Sequence, residues 1–178
     1  RGLMLLLQEH GVISTYAVKI YKTYGDEAIE TVKTDPYRLA TDIFGIGFVK
    51  ADEIAAKLGF ARDCAARLEA GILYCLNQLA EDGHVYYPYG SLVQKGREIL
   101  GVPAEGVTEA LARLAADKKI AVESRGESGE ETEKAGRGVY LAGYYLCETE
   151  IASRLKRLLT GDKSVRAVRD MDKALAWV

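Results

Sequence analysis

The segment FGIGFVKADEIAAKLGF, residues 44–60, places two glycines on either side of one isoleucine, directly before a stretch with helical periodicity. The N-terminus of a helix carries unpaired amide hydrogens and partial positive charge, and both attract phosphate. Gly45 and Gly47 have no side chain to block a phosphate, and Lys50, one turn into the helix, adds a formal positive charge. These residue types in this order predict a phosphate-binding turn. The residues alone leave an alternative open, in which the glycines only close a tight turn between two helices.

This segment is the second copy of an internal repeat. A shift of thirty-four positions aligns residues 10–25 with residues 44–59 and pairs Gly11 with Gly45, Ala17 with Ala51, Ile20 with Ile54 and Gly25 with Gly59. Each copy predicts a glycine turn, a helix with one apolar face, and a closing glycine in the left-handed conformation. A tetratricopeptide unit has the same period, but only two copies exist and its Trp, Leu-Gly and Tyr positions are missing.

The first copy departs from the second at the two positions that matter for phosphate. Ile13 stands where Gly47 stands, and Tyr16 stands where Lys50 stands. A branched side chain at this position hinders the close approach of phosphate, although Ser14 could still cap the helix. We therefore interpret the first copy as mainly structural and the second copy as the one that binds phosphate.

The segments outside the repeat predict a chain that is mainly α with a small sheet. Asp35 and Pro36 predict a capped short helix at 36–42. From residue 63 onward the patterns predict a long helix that ends near Gly83, a strand in HVYYP, helices at 90–100 and 104–117, strands in KIAVESR and GVYLAGYYL, and later helices that include 164–175. Helix, strand, helix, helix and a two-stranded wing is the order of a winged-helix domain.

The predicted wing does not have the charge of a DNA-binding wing. The loop at 126–137 carries four glutamates against one lysine and one arginine, and the presumed recognition helix offers only Arg113, with Lys118 and Lys119 at its end. A structural or protein-docking role is therefore the favoured interpretation of this region. Base stacking by Tyr86, Tyr87 and Tyr89 is the alternative.

Two segments carry a resemblance to known families. GIGFVKADEIAAKLG resembles the helix-hairpin-helix motif of DNA repair and processing proteins, and its two tandem copies resemble the double, five-helix form of that motif. The wider segment YGDEAIETVKTDPYRLATDIFGIGFVKADEIAAKLG is similar to the N-terminal region of RecD/TraA-type helicases, which are relatives of the exodeoxyribonuclease V alpha subunit. The similarity continues through ARLEAGILYCLNQLAEDGHVYYP and CETEIASRLKRLL and so covers most of the chain.

The resemblance implies a tandem helix-hairpin-helix domain over residues 1–82 and a winged-helix-like α+β domain with C-terminal helices over residues 83–178. It implies a non-catalytic accessory region of a bacterial, cytoplasmic 5′–3′ DNA helicase that acts in repair or recombination. The implied partners are single-stranded or forked DNA, an ATPase core in the same protein, and a protein bound through the winged-helix-like domain. The expected DNA contacts are Gly45, Ile46, Gly47, Phe48 and Lys50, with Gly11, Ser14 and Lys57 as secondary candidates.

The sequence predicts no catalytic, cofactor or metal site of its own. The segment most similar to a phosphate-binding P-loop, GDKS at 161–164, has Arg157 and Asp162 where that motif needs glycines, so ATP and magnesium would belong to the ATPase core. Asp52 and Glu53 are expected on a solvated helix face. The net charge of −2 over 178 residues means that any anion site is local, and no apolar run has membrane-spanning length. The alternative function is that of a protein-interaction module which braces the motor or binds a partner.

Overall fold

The structure, a computed structural model, describes residues 14–124 and 136–160. The helices are α1 (Ser14–Tyr24), α2 (Ala28–Thr34), α3 (Arg38–Asp42), α4 (Phe48–Lys57), α5 (Ala65–Glu81), α6 (Tyr89–Leu100), α7 (Ala104–Ala116) and α8 (Ala142–Thr160), with a 3-10 helix at Gly25–Glu27. The strands are β1 (Tyr86–Pro88), β2 (Ile120–Ser124) and β3 (Arg137–Leu141). The predicted class, mainly α with a small α+β region after the N-terminal helices, is confirmed.

The helices of the two repeat copies keep the predicted register. Ala17 and Ile20 of α1 are buried, and so are Ala51 and Ile54 of α4, thirty-four positions later. The glycines that follow them are both left-handed, with φ of 57° at Gly25 and 86° at Gly59. The first turn, which contains Gly11 and Ile13, lies outside the described residues. The pairing of two complete hairpins therefore stays a prediction.

The segment between the two repeat copies folds as Asp35 and Pro36 predict. The Asp35 carboxylate accepts a hydrogen bond of 3.1 Å from the backbone N–H of Tyr37, and Pro36 is buried. The short helix α3 then begins at Arg38 and ends at Asp42. The helix starts two residues later than predicted, because Pro36 and Tyr37 form the turn that leads into it.

The three strands form one antiparallel sheet in the order β1–β3–β2. The order of elements after Gly83 matches the predicted order, but the strand predicted over 138–146 is too long. Strand β3 ends at Leu141, which pairs with Ile120, the first residue of β2. A strand beyond this point would have no neighbour to pair with, so the aromatic run that follows continues as α8.

One hydrophobic core runs through the described residues from α1 to β3, and the described residues up to Ala142 form one compact unit. Helix α5 is central to it, because it packs against α4 on one side and against α6 and α7 on another. The largest fully buried side chains include Ile20, Leu39, Ile46, Ile72, Leu92 and Leu111. The predicted domain boundary at residue 82 stays a prediction.

The residues from Gly143 onward form a second unit, of which the structure describes α8. This helix has no buried residue, and its exposed large apolar side chains are Tyr144, Leu146, Ile151, Leu155, Leu158 and Leu159. The helix predicted at 164–175 lies outside the described residues. Across residues 14–124 and 136–160, no helix combines the length and the apolar character needed to cross a bilayer.

A polar network joins α4, α5 and the end of α6. Arg67, which is only 9% exposed, donates from Nε to Asp52 Oδ1 (2.7 Å) and from Nη2 to Asp52 Oδ2 (3.0 Å). Its Nη1 donates to the carbonyls of Arg62 (2.7 Å) and Leu100 (3.0 Å), and Tyr37 Oη donates to Asp52 Oδ1 (2.8 Å). The expectation that Asp52 lies on a solvated face is therefore wrong. Its carboxylate fixes the helix that follows the glycine turn.

Candidate nucleic-acid interface

The glycine turn before α4 is a β-turn with buried ends. The Ile46 N–H donates to the Ile43 carbonyl at 3.0 Å, which places Phe44 and Gly45 at the two central positions. Gly45 has a φ of 86°, the left-handed value that the second central position of a type II turn requires of glycine. Ile43 and Ile46 are 6% and 1% exposed, so the core holds both ends while the central residues face solvent.

The N-terminus of α4 is open. Gly47 is its N-cap residue, with φ of −86° and ψ of 175°, and no side chain caps the helix. The Gly47 carbonyl accepts hydrogen bonds of 3.1 Å from the amides of Lys50 and Ala51, which leaves the amides of Phe48 and Val49 available to an anion. A Cβ placed on Gly47 would meet nothing within 4 Å. The geometry therefore provides what the sequence predicts, an unobstructed approach to helix amides.

Lys50 is paired with a glutamate of its own helix. Its Nζ lies 2.9 Å from Glu53 Oε2 and 3.1 Å from Glu53 Oε1, and both side chains are about half exposed. The hydrogen bond to Glu53, followed by the glutamate charge, raises the pKa of Lys50, so the ammonium stays protonated. An exposed pair of this kind contributes little to stability, because solvent screens it. A phosphate at the α4 N-terminus can therefore replace Glu53 as the partner of Lys50.

A second cation lies across the turn, and the sequence interpretation missed it. Lys19 of α1 donates from Nζ to the Phe44 carbonyl at 3.3 Å. The same nitrogen lies 2.9 Å from the position that a Cβ on Gly45 would occupy. No local pattern points to this contact, because it joins residues twenty-five positions apart through the packing of the N-terminal helices. Lys19 adds positive charge to the face of the turn that Gly45 leaves open.

The other residues predicted to contact DNA are buried, lie far from the turn, or fall outside the described residues. Ile46 and Phe48 are buried, and the Phe48 ring stacks on Tyr37 (6.2 Å between ring centroids) and Tyr74 (5.3 Å), so only their backbones can meet a ligand. Lys57 is the last residue of α4, about 14 Å along the helix axis from its start. Gly11 and the side chain of Ser14 lie outside the described residues. The structure therefore brings together Gly45, Gly47 and Lys50, and adds Lys19.

Three cations of the α+β region have partners within the protein. Arg113 Nε donates to Glu69 Oε1 at 2.8 Å, and Lys119 Nζ lies 3.5 Å from an oxygen of Asp117. The guanidinium of Arg137 lies over a tyrosine ring of α6, with 4.6 Å between its central carbon and the ring centroid. These contacts engage the arginine of the presumed recognition helix and one of the two lysines at its end. Most of the acidic loop at 126–137 lies outside the described residues.

The tyrosines considered for base stacking also have partners inside the protein. The Tyr86 ring lies 5.5 Å from the Tyr140 ring on the neighbouring strand, and the Tyr87 ring lies 5.9 Å from His84. Tyr89 is the residue beneath the guanidinium of Arg137. In the part of the chain that the structure describes, no three His, Cys, Asp or Glu side chains form a group that could hold a metal ion. The turn before α4 is therefore the best-built candidate site.

Two comparisons with known proteins show which proteins this chain is similar to. Residues 1–86 match a model of the family described as the ATP-dependent RecD2 DNA helicase HHH domain. The ATP-dependent RecD2 DNA helicase of Deinococcus radiodurans is 32% identical over 167 residues, which cover 89% of this chain. The match covers 22% of that protein, so the chain spans about a fifth of the length of this relative.

Proposed function

We propose that this chain, an N-terminal accessory region of the RecD-type helicase family, binds DNA without regard to sequence through the N-terminus of α4. The uncapped helix start behind Gly47 is the observation that carries the proposal. A phosphate oxygen placed there would accept hydrogen bonds from the first amides of α4, with Lys50 in the first turn of the helix and Lys19 at the preceding turn. Such contacts position the sugar-phosphate backbone and recognise no base.

The wider function that we propose belongs to the whole protein. It is an ATP-dependent DNA helicase of 5′–3′ polarity that acts in repair or recombination in the bacterial cytoplasm. ATP and magnesium would bind to the ATPase core and not to this region, whose sequence lacks a P-loop. The accessory region would hold single-stranded or forked DNA beside the core and would not itself catalyse a reaction.

A second candidate function is protein docking, by which the region braces the motor or binds a partner protein. The exposed apolar side chains of α8 favour it, because a stripe that includes Ile151, Leu155 and Leu158 stays in solvent. The paired cations of the α+β region favour it as well, since they leave little charge for DNA. We assign this role to the winged-helix-like part and to α8, and we assign DNA binding to the turn before α4.

The substitution Lys50→Ala tests the proposed DNA site. We expect it to weaken binding to all DNA sequences about equally and to reduce the slope of log K against log salt by about one unit, because one phosphate contact is lost. Glu53→Gln removes the carboxylate that competes with phosphate for Lys50, so we expect it to tighten binding. The measurement is fluorescence anisotropy of labelled DNA at several salt concentrations.

Thermal unfolding of the Lys50→Ala and Glu53→Gln variants is the control for this test. Both residues are exposed on α4, so both variants should unfold at nearly the parent temperature. If Lys50→Ala binds like the parent chain at every salt concentration, the phosphate site is refuted and the docking function takes its place.

A further inference from the structure

Phe44 is the most exposed large apolar side chain in the described residues. Its exposed fraction is 100%, whereas Ile43 and Ile46, at the two ends of the same turn, are 6% and 1% exposed. Of the other two phenylalanines in the chain, Phe48 is buried and Phe60 packs partly against the core. The turn thus anchors its ends in the core and places one aromatic ring entirely in water. Packing within this part of the chain does not account for such a ring.

The groups around the ring are those of a site that binds a single strand. The carbonyl of Phe44 is held by the ammonium of Lys19, the next residue is Gly45, and the open start of α4 follows behind Gly47. Proteins that bind single strands combine positive groups along the sugar-phosphate backbone with an aromatic ring on which a base stacks. The turn at 43–46 carries the aromatic ring and binds Lys19 at its backbone, and the free amides of α4 follow it directly.

We propose that Phe44 stacks on an unpaired base whose phosphate is held at the N-terminus of α4. The proposal rests on the DNA-binding function argued above and names the side chain that would select single-stranded DNA or the unpaired arm of a fork. In a duplex the bases are already paired and stacked, so their faces are closed to the ring while the phosphates remain available. The ring thus distinguishes DNA structures, and the amides and lysines do not.

The surroundings of Phe44 favour a nucleic acid over a protein as the occupant. A protein-binding hot spot is an aromatic anchor surrounded by other side chains that exclude water. The chain neighbours of Phe44 are a buried isoleucine and a glycine, and the side chain held against its backbone is a lysine. The exposed aromatic ring of Phe44 and the cation bound at its backbone carbonyl complement a base and its phosphate.

The test compares Phe44→Leu with Phe44→Tyr in the full 178-residue chain. Leucine keeps an apolar side chain but has no ring, whereas tyrosine keeps the ring. We expect Phe44→Leu to weaken binding to a single-stranded oligonucleotide by about 5- to 150-fold, the range for the loss of one base–aromatic stack. Duplex binding should stay within about twofold, and the salt slope should not change because no charge is removed. Phe44→Tyr should bind both DNAs like the parent.

The outcomes separate this proposal from the function on which it rests. If Phe44→Leu binds single strands like the parent while Lys50→Ala weakens binding to both DNAs, stacking is refuted and the phosphate site stands. If neither substitution affects binding, the DNA-binding function itself fails. If Phe44→Leu leaves DNA binding intact but abolishes association with a protein partner, the ring is a protein anchor and the proposal is overturned. Thermal melting of both variants checks that the fully exposed ring contributes little to stability.

Discussion

Replacing Gly47 with isoleucine is expected to weaken DNA binding by about ten- to a hundredfold and to lower the melting temperature only modestly, because isoleucine is a poorer N-cap residue than glycine. The backbone at Gly47 has φ of −86° and ψ of 175°, which any residue adopts, and a Cβ there meets nothing within 4 Å. The branched side chain would cover the first amides of α4 and exclude phosphate from them. The loss follows from the charge-assisted hydrogen bonds that would no longer form, each of about 1.5–3 kcal/mol. Ile13 already occupies the equivalent position in the first repeat copy.

Gly143→Ile is the matched control for this substitution. A Cβ on Gly143 would also meet nothing within 4 Å, and this glycine lies in α8, in the other unit. The control variant should bind DNA like the parent. Gly45 is not suitable for the test, because its φ of 86° strains any side chain and a Cβ there meets Lys19. Parent-like DNA binding by a folded Gly47→Ile variant would contradict the proposed approach of phosphate.

Replacing Asp52 with alanine is expected to lower the free energy of unfolding by about 3 kcal/mol. The change leaves the guanidinium of Arg67 largely buried without its carboxylate and removes the acceptor of the Tyr37 hydroxyl. Burial, the largest cause of the raised pKa of Tyr37, remains in this variant, so the neutral phenol cannot replace the missing charge. Chemical denaturation followed by circular dichroism measures the loss.

A double-mutant cycle separates the ion pair from the space that its side chains fill. Arg67→Met keeps much of the side-chain volume and removes the charge, so the double variant should be more stable than the sum of the single losses predicts. The expected coupling between the two sites is about 1–3 kcal/mol. If Asp52→Ala is as stable as the parent, the network does not hold α4 against α5 and the rigid placement of the turn is wrong.

The sequence is sufficient to predict those features that depend on neighbours along the chain. The apolar spacing gives the helices, the Asp35–Pro36 pair gives the turn into α3, and the glycines after α1 and α4 have the left-handed φ that they were expected to have. The glycine turn was found for the same reason, since its two glycines and the following helix are contiguous. Residues 24–59 also carry the family resemblance, which the match of residues 1–86 supports.

The features that sequence reasoning missed depend on how distant segments pack. Asp52 was expected in solvent because helical spacing alone does not reveal that Arg67, fifteen positions later, folds back onto it. Lys19 reaches the turn across twenty-five positions. Phe44 lies in a run of apolar residues within a turn, where neither the helical nor the strand period indicates which side chain faces water. The strand predicted over 138–146 failed because its length is set by β2, its partner.

The most direct measurement is a ¹⁵N–¹H NMR titration of the labelled chain with a short single-stranded oligonucleotide. The account predicts saturable shifts of the amides of Gly47, Phe48 and Val49 at the start of α4, which diminish as salt is added. Amides at the start of α7, a helix of similar length in the same unit, should stay in place. Shifts confined to β2 and β3, with unchanged amides at the start of α4, would contradict the central claim.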